Sequence, residues 1–422
     1  MRKYVFSNGI TLVVERMPRV ETVSFGLWQR VGSSNESPLT NGLTHFLEHM
    51  LFKGTSEHSA SDIAIRMDSV GAHMNAFTTR EKTCFYANVV ARHAPMVIGL
   101  LKAMYYDSVF PPKEIQREKQ VVIQEIHMYD DSPDDYIHDR FVEQLWPDHP
   151  LGFSISGKVE NIEAITRARL LDFFNKHYRT DRLVISAAGM IDPDTLAREI
   201  ETWPLRGSGD PALPTQPPEP RFTLAAQKKK LEQVQLLIGM PGVHKRHPWR
   251  VAIALVNQLW GGSMSSRLFQ KIREEHGICY SIYTFPALMQ ETGYFGISCA
   301  TSAEYLDTVL TLIRRENELL LKKGISSEEF LRSKEQLKSS LLIGRESVES
   351  RMNYIAMQEL VFGRGEPLSA VLKRIDAVTM EDIRDVISYI LGSERFAVRT
   401  LGRIDAMPIL KKHFPAGETH RG

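Results

Sequence analysis

Three cysteines among 422 residues are too few to staple a fold of this size. Cys84, Cys279 and Cys299 are odd in number and lack the paired spacing of a zinc ribbon or finger. A disulfide framework and a cysteine-built metal site are both excluded, and buried free thiols in a reducing compartment are expected. No run of eighteen apolar residues occurs, so no helix should span a bilayer. Charge of one sign is also missing: 52 Lys and Arg face 51 Asp and Glu, a net of +1. Neither nucleic acid nor an anionic membrane is therefore expected as a partner. The first residues carry Arg2 and Lys3 but no apolar stretch of the export type, so the cytoplasm is the expected location. They read instead as a hairpin turning at Asn8-Gly9.

What is present is an ordinary soluble composition, 43% apolar and 24% charged, on a chain too long for one core. Proline and glycine concentrate at 207–220, which divides the chain into halves at 1–206 and 223–422 with a linker at 207–222. The halves resemble each other. Ile162-Glu163-Ala164-Ile165-Thr166 precedes a helical pattern, Arg182-Leu183-Val184-Ile185 and Gly189-Met190-Ile191-Asp192. Ile375-Asp376-Ala377-Val378-Thr379, a helical pattern, Arg395-Phe396-Ala397-Val398 and Gly402-Arg403-Ile404-Asp405 follow at a constant offset. Strands are expected near 10–14, 23–31, 83–90, 233–239 and 294–299, and helices near 94–107, 113–129, 303–323 and 327–344. The fold class is α+β, a duplicated pair of α/β sandwich halves.

One segment of the first half carries chemistry. His45-Phe46-Leu47-Glu48-His49 reads H-x-x-E-H, and Leu43, Phe46, Leu47, Met50 and Leu51 repeat at helical spacing around it. Gly54 can end that helix. Residues four apart share a face, so both imidazoles can reach one metal ion, with Glu48 beside them to take a proton from water. The competing reading is a buried helix with two satisfied core histidines. A catalytic zinc site wants a third ligand, and Glu118 and Glu125 are the local candidates. Seven residues apart on one helix, they share a face but sit about 10 Å apart along the axis, so only one can touch the metal. The other can orient a ligand, and spacing does not choose between them. Glu118 and Glu125 align with Ser333 and Ser340, and the second half has no H-x-x-E-H, so one site per chain is expected.

The stretch 42–55, Glu118 to Glu125, Gly71-Ala72-His73-Met74-Asn75-Ala76-Phe77-Thr78-Thr79-Arg80-Glu81 and His149-Pro150-Leu151-Gly152 resemble the pitrilysin family of metallopeptidases (inverzincins). The resemblance is to the mitochondrial-processing-peptidase branch and its bacterial members, and it runs nearly the whole chain. It implies a zinc metalloendopeptidase with one Zn2+ on His45, His49 and Glu125, Glu118 as a supporting residue and Glu48 as general base. It also implies that Arg273 and Tyr280, spaced seven apart, hold the substrate and polarise its carbonyl, where hydrogen-bond donors stabilise developing charge. Asn75, Ala76 and Phe77 would form an edge strand that an extended peptide joins. Asp135 and Asp139 match an acidic pair that receives a basic residue near the cut. Two bowl-shaped halves facing each other as a clamshell would enclose a peptide or an unfolded polypeptide. The resemblance also admits a non-catalytic or partner-dependent subunit, and it leaves the oligomeric state open, a homodimer included.

Overall fold

The chain turns back on itself within its first sixteen residues. Asn8-Gly9, with Gly9 at φ 87°, lets β1 (Arg2–Val5) pair antiparallel with β2 (Thr11–Arg16). The computed structural model describes residues 1–207, 219–415 and 418–419. Most of the expected linker, 208–218, lies outside the described residues.

Four more strands complete the first sheet: β3 (Thr22–Gln29), β4 (His73–Thr78), β5 (Thr83–Val90) and β6 (Leu183–Gly189), in the order β1-β2-β6-β3-β5-β4. β2 and β6 run parallel; the other neighbours are antiparallel. The second sheet holds β7 (Thr223–Lys228), β8 (Val234–Pro241), β9 (Cys279–Leu288), β10 (Gly293–Thr301), β11 (Ala397–Gly402) and β12 (Glu418–Thr419). Its order, β12-β7-β11-β8-β10-β9, repeats the first in five of the six strands. The parallel pair recurs as β7 with β11. Only the outermost position differs, taken by the N-terminal strand in one sheet and by β12 in the other. The duplication legible in the sequence is thus a duplication of topology, and the α+β class with two like sheets is the one observed.

Helices cover these sheets on both faces, which is why their central strands read as unbroken apolar runs. In the first sheet Leu12 and Val14 face the main core, with α1 (Leu43–Leu51), α2 (Ala60–Asp68), α3 (Ala94–Asp107) and α4 (Pro112–Asp131) contributing to it. Val13, Trp28, Cys84 and Val184 face the other way and pack on Met352, Ile355 and Ala356 of the Val348–Phe362 helix. A Cβ on Gly26 would stand 2.8 Å from both Met352 Sδ and Trp28 Nε1, so the glycine leaves room for those two side chains. The second sheet repeats the device with α5 (Pro133–Leu145), whose Phe141 would meet a Cβ on Gly239 at 2.5 Å.

The two compact units are therefore discontinuous in sequence. The first comprises residues 1–128, 153–215 and 342–365; the second comprises 129–152, 216–341 and 366–422. Each linear half lends one helix to the other half's sheet, which the division at 207–222 does not describe. Cys84 and Cys299 are buried free thiols, whereas Cys279 is half-buried. Among the described residues no helix is long and apolar enough to cross a membrane.

Candidate metal centre

α1 forms because its apolar residues make one stripe. Leu43, Phe46, Leu47, Met50 and Leu51 are buried, and the remaining face carries His45, Glu48 and His49, each half-buried. α4 presents Glu118 and Glu125 toward that face from within the same compact unit.

Three donor atoms converge. His45 Nε2 lies 3.3 Å from His49 Nε2, and Glu125 Oε2 lies 3.4 Å from His49 Nε2 and 3.8 Å from His45 Nε2. Donors arranged tetrahedrally at about 2.0–2.1 Å from a zinc ion stand about 3.3–3.4 Å apart. The set His45, His49 and Glu125 is thus spaced for such an ion, and it is the group of its kind among the described residues. The protonation state of His45 agrees. Burial, with the neighbouring His49 charge, pushes His45 down to about 3, so its imidazole is neutral and has a lone pair to give. His45 Nδ1 is buried with no hydrogen-bond partner among the described residues, so orientation of this ring rests on packing.

The choice between the two glutamates is geometric. Glu118 does not join the cluster; its Oε1 accepts from His49 Nδ1 at 2.9 Å, and its Oε2 pairs with Lys53 Nζ at 2.7 Å. That bond fixes the tautomer of His49 and turns its Nε2 lone pair toward the other donors. Burial pulls His49 down, but the Glu118 hydrogen bond and the charges of Glu125, Glu118 and Glu48 together raise it. For Glu118, burial pushes upward and is outweighed by the His49 and Lys53 contacts, so it stays ionised. Glu118→Gln should weaken zinc binding by about 10- to 100-fold, read by competition with a chromophoric chelator. An unchanged affinity would reduce Glu118 to a packing residue.

Glu48 Oε2 accepts a 2.5 Å hydrogen bond from Thr78 Oγ1 at the end of β4. Burial raises the Glu48 carboxyl and the Thr78 bond opposes the rise. β4 is the outermost strand of its sheet, and Asn75, Ala76 and Phe77 lie on it. Asn75 is exposed, its Oδ1 accepting from Ala76 N at 2.8 Å, while Phe77 packs edge-on against Trp28. The remaining expected residues belong to the second compact unit. Arg273 sits on a π-helical turn (Phe269–Glu275) with its guanidinium 4.8 Å from the Phe269 ring centre. Tyr280 is on β9, the outermost strand of the second sheet, and is 75% exposed. Asp135 and Asp139 are on α5; Asp135 accepts from Ser132 Oγ at 2.6 Å and Asp139 is half-buried.

Two contributors carry no role in the sequence reading, Lys53 and Thr78. Lys53 lies four residues beyond His49, close enough to share its neighbourhood, and that spacing was the available signal. Nothing local marks Thr78, because its partner comes from a different element.

The chain as a whole matches known proteins. The insulinase model, peptidase family M16, matches residues 11–158, and the model of the peptidase M16 inactive domain matches residues 164–337. A Bacillus subtilis protein named uncharacterized zinc protease YmxG is 36% identical over 97% of this chain and 100% of its own length. A Streptomyces coelicolor protein, also named an uncharacterized zinc protease, is 36% identical over 93% of this chain and 87% of its own. Among solved structures, a protease from Helicobacter pylori aligns with a TM-score of 0.89 at 19% identity, covering 95% of this chain and 99% of that one. The first match contains the whole H-x-x-E-H helix and both glutamates, and the second begins within the same half at residue 164 and runs through the linker into the half that lacks them. With full-length relatives of this similarity and both matches in order, the chain belongs to the insulinase family of peptidases, family M16.

Proposed function

We propose that this chain is a zinc-dependent metalloendopeptidase acting on peptides and unfolded protein segments, of the processing-peptidase type. The observation that carries the reading is the convergence of His45, His49 and Glu125 donors at 3.3 to 3.8 Å beside the Glu48 carboxylate. The donor set of two imidazoles and one carboxylate suits zinc. When bound, zinc lowers the pKa of a water to about 7 and draws charge from a carbonyl. Glu48 takes the proton released as water attacks the scissile carbonyl, then gives it to the departing amine. Thr78 holds one oxygen of Glu48 and so sets the direction in which its carboxylate works. Glu118 and Lys53 keep His49 in the tautomer with Nε2 free.

The same strand that carries Thr78 is an open sheet edge, which suits an extended peptide joining β4 through main-chain hydrogen bonds. Such a mode tolerates many sequences and rejects folded ones. Tyr280 and Arg273 supply donors for the substrate carbonyl in this reading, and Asp135 with Asp139 favours Arg or Lys near the cut. The test is hydrolysis of a quenched fluorescent peptide library by the purified chain, with and without a chelator. Chelator-sensitive cleavage is expected, enriched for basic residues around the bond. Absence of cleavage by a zinc-loaded chain would point to a required partner subunit, and absence of both would overturn the proposal. A flat residue profile would remove the role of the two aspartates alone.

A further inference from the structure

α1 starts without a cap of its own. Its N-cap residue is Gly42, at φ 98°, and no side chain there bonds the first turn. No larger residue fits: a Cβ would stand 2.8 Å from Ile162 Cδ1 and 2.9 Å from Ser156 O. A helix of nine residues with an open N-terminus is marginal by itself, because its first amides lack partners. The missing cap comes from Glu36. Its Oε1 accepts from Thr44 N at 2.7 Å, and its Oε2 accepts from Gly42 N at 2.9 Å and from Asn41 Nδ2 at 3.0 Å. Asn41 Nδ2 also donates to Ser154 O at 2.7 Å, and Asn161 Nδ2 donates to Asn41 O at 3.1 Å. The helix start is thereby clasped to the 154–161 segment.

We propose that Glu36 is a positioning residue for the metal centre, fixing the first turn of α1 so that His45 meets His49 and Glu125 at the spacing a zinc ion needs. This rests on the reading of that centre as a zinc site. His45 follows directly on Thr44, whose amide is held. A ring whose Nδ1 has no hydrogen bond to steer it depends on the helix for its placement. Metal sites tolerate misplacement of only about 0.5 Å. A carboxylate suits the task for two reasons. Three donors point at it, and its charge opposes the positive end of the helix dipole. Burial is the cost: it pushes the Glu36 carboxyl up to about 7, against the pull of those donors. A buried acid with no part in the chemistry is explained by what it holds in place.

Glu36→Gln keeps the shape but turns an amide NH2 toward backbone donors. We expect its zinc dissociation constant, measured on folded protein by chelator competition, to rise tenfold or more. The kcat should fall with it while KM stays within twofold, and Glu36→Asp, which keeps the charge, should fall between Gln and wild type. A purely structural role would lower the melting temperature and leave the zinc affinity of the folded protein unmoved; that result overturns the inference. Should Glu36→Gln fail to fold, Asn41→Ala removes one of the three donors and should weaken zinc binding three- to tenfold, an unchanged value again overturning it. Wild-type protein that binds no zinc would sink the zinc reading itself, whereas equal binding by wild type and variants sinks only the role of Glu36.

Discussion

Glu48→Gln retains one zinc per chain and loses about 10³-fold in kcat, with KM nearly unchanged. General acid–base groups contribute about 10²–10⁴-fold, and Glu48 serves as both acceptor and donor in one cycle, so the middle of that range is expected. The substitution is close to isosteric. Its Oε1 can still accept from Thr78, and it removes none of the three clustered donors, so the fold and the metal affinity should stand. A loss of this size corresponds to about 4 kcal/mol of transition-state stabilisation. KM is spared because Glu48 meets the attacking water rather than the remote parts of a peptide. Steady-state kinetics beside metal analysis checks both halves of the expectation. Turnover within tenfold of wild type would mean that another group takes the proton.

The sequence made α1 legible because a helix states its own periodicity: the apolar stripe is buried and the His45, Glu48 and His49 face is left over. It could not rank Glu118 against Glu125, since seven residues return to the same helix face and both are carboxylates. The difference is tertiary. α4 crosses α1 so that Glu118 lies 2.9 Å from His49 Nδ1, on the far side of the imidazole from the donor cluster, while Glu125 approaches both Nε2 atoms. Thr78 was illegible for the same reason, its partner lying thirty residues earlier. The duplication was visible in spaced repeats, but the exchange of helices was not. Periodicity says that the Val348–Phe362 helix and α5 have apolar faces; it does not say which sheet each covers. Gly26 and Gly239 held that information as absent side chains, readable only once Met352 and Phe141 are seen against them.

The second large effect is expected at His49, which works from both ring nitrogens. Nε2 belongs to the donor cluster, and Nδ1 is the partner of Glu118. His49→Ala leaves His45 and Glu125 as two donors, below the three a catalytic zinc site uses, so zinc should be lost on dialysis and turnover should drop by at least about 10³-fold. The protein should still fold. Glu118 keeps its 2.7 Å contact with Lys53, so the buried carboxylate is not stranded, and one lost hydrogen bond to a charged group costs about 1.5–3 kcal/mol. The control is wild type stripped by a chelator, which should be equally inactive and recover when zinc is returned, because its three donors remain in place. His49→Ala should not recover at the same zinc concentration. Recovery by the variant would show that His45, Glu125 and a third group other than His49 suffice, and would displace His49 from the centre.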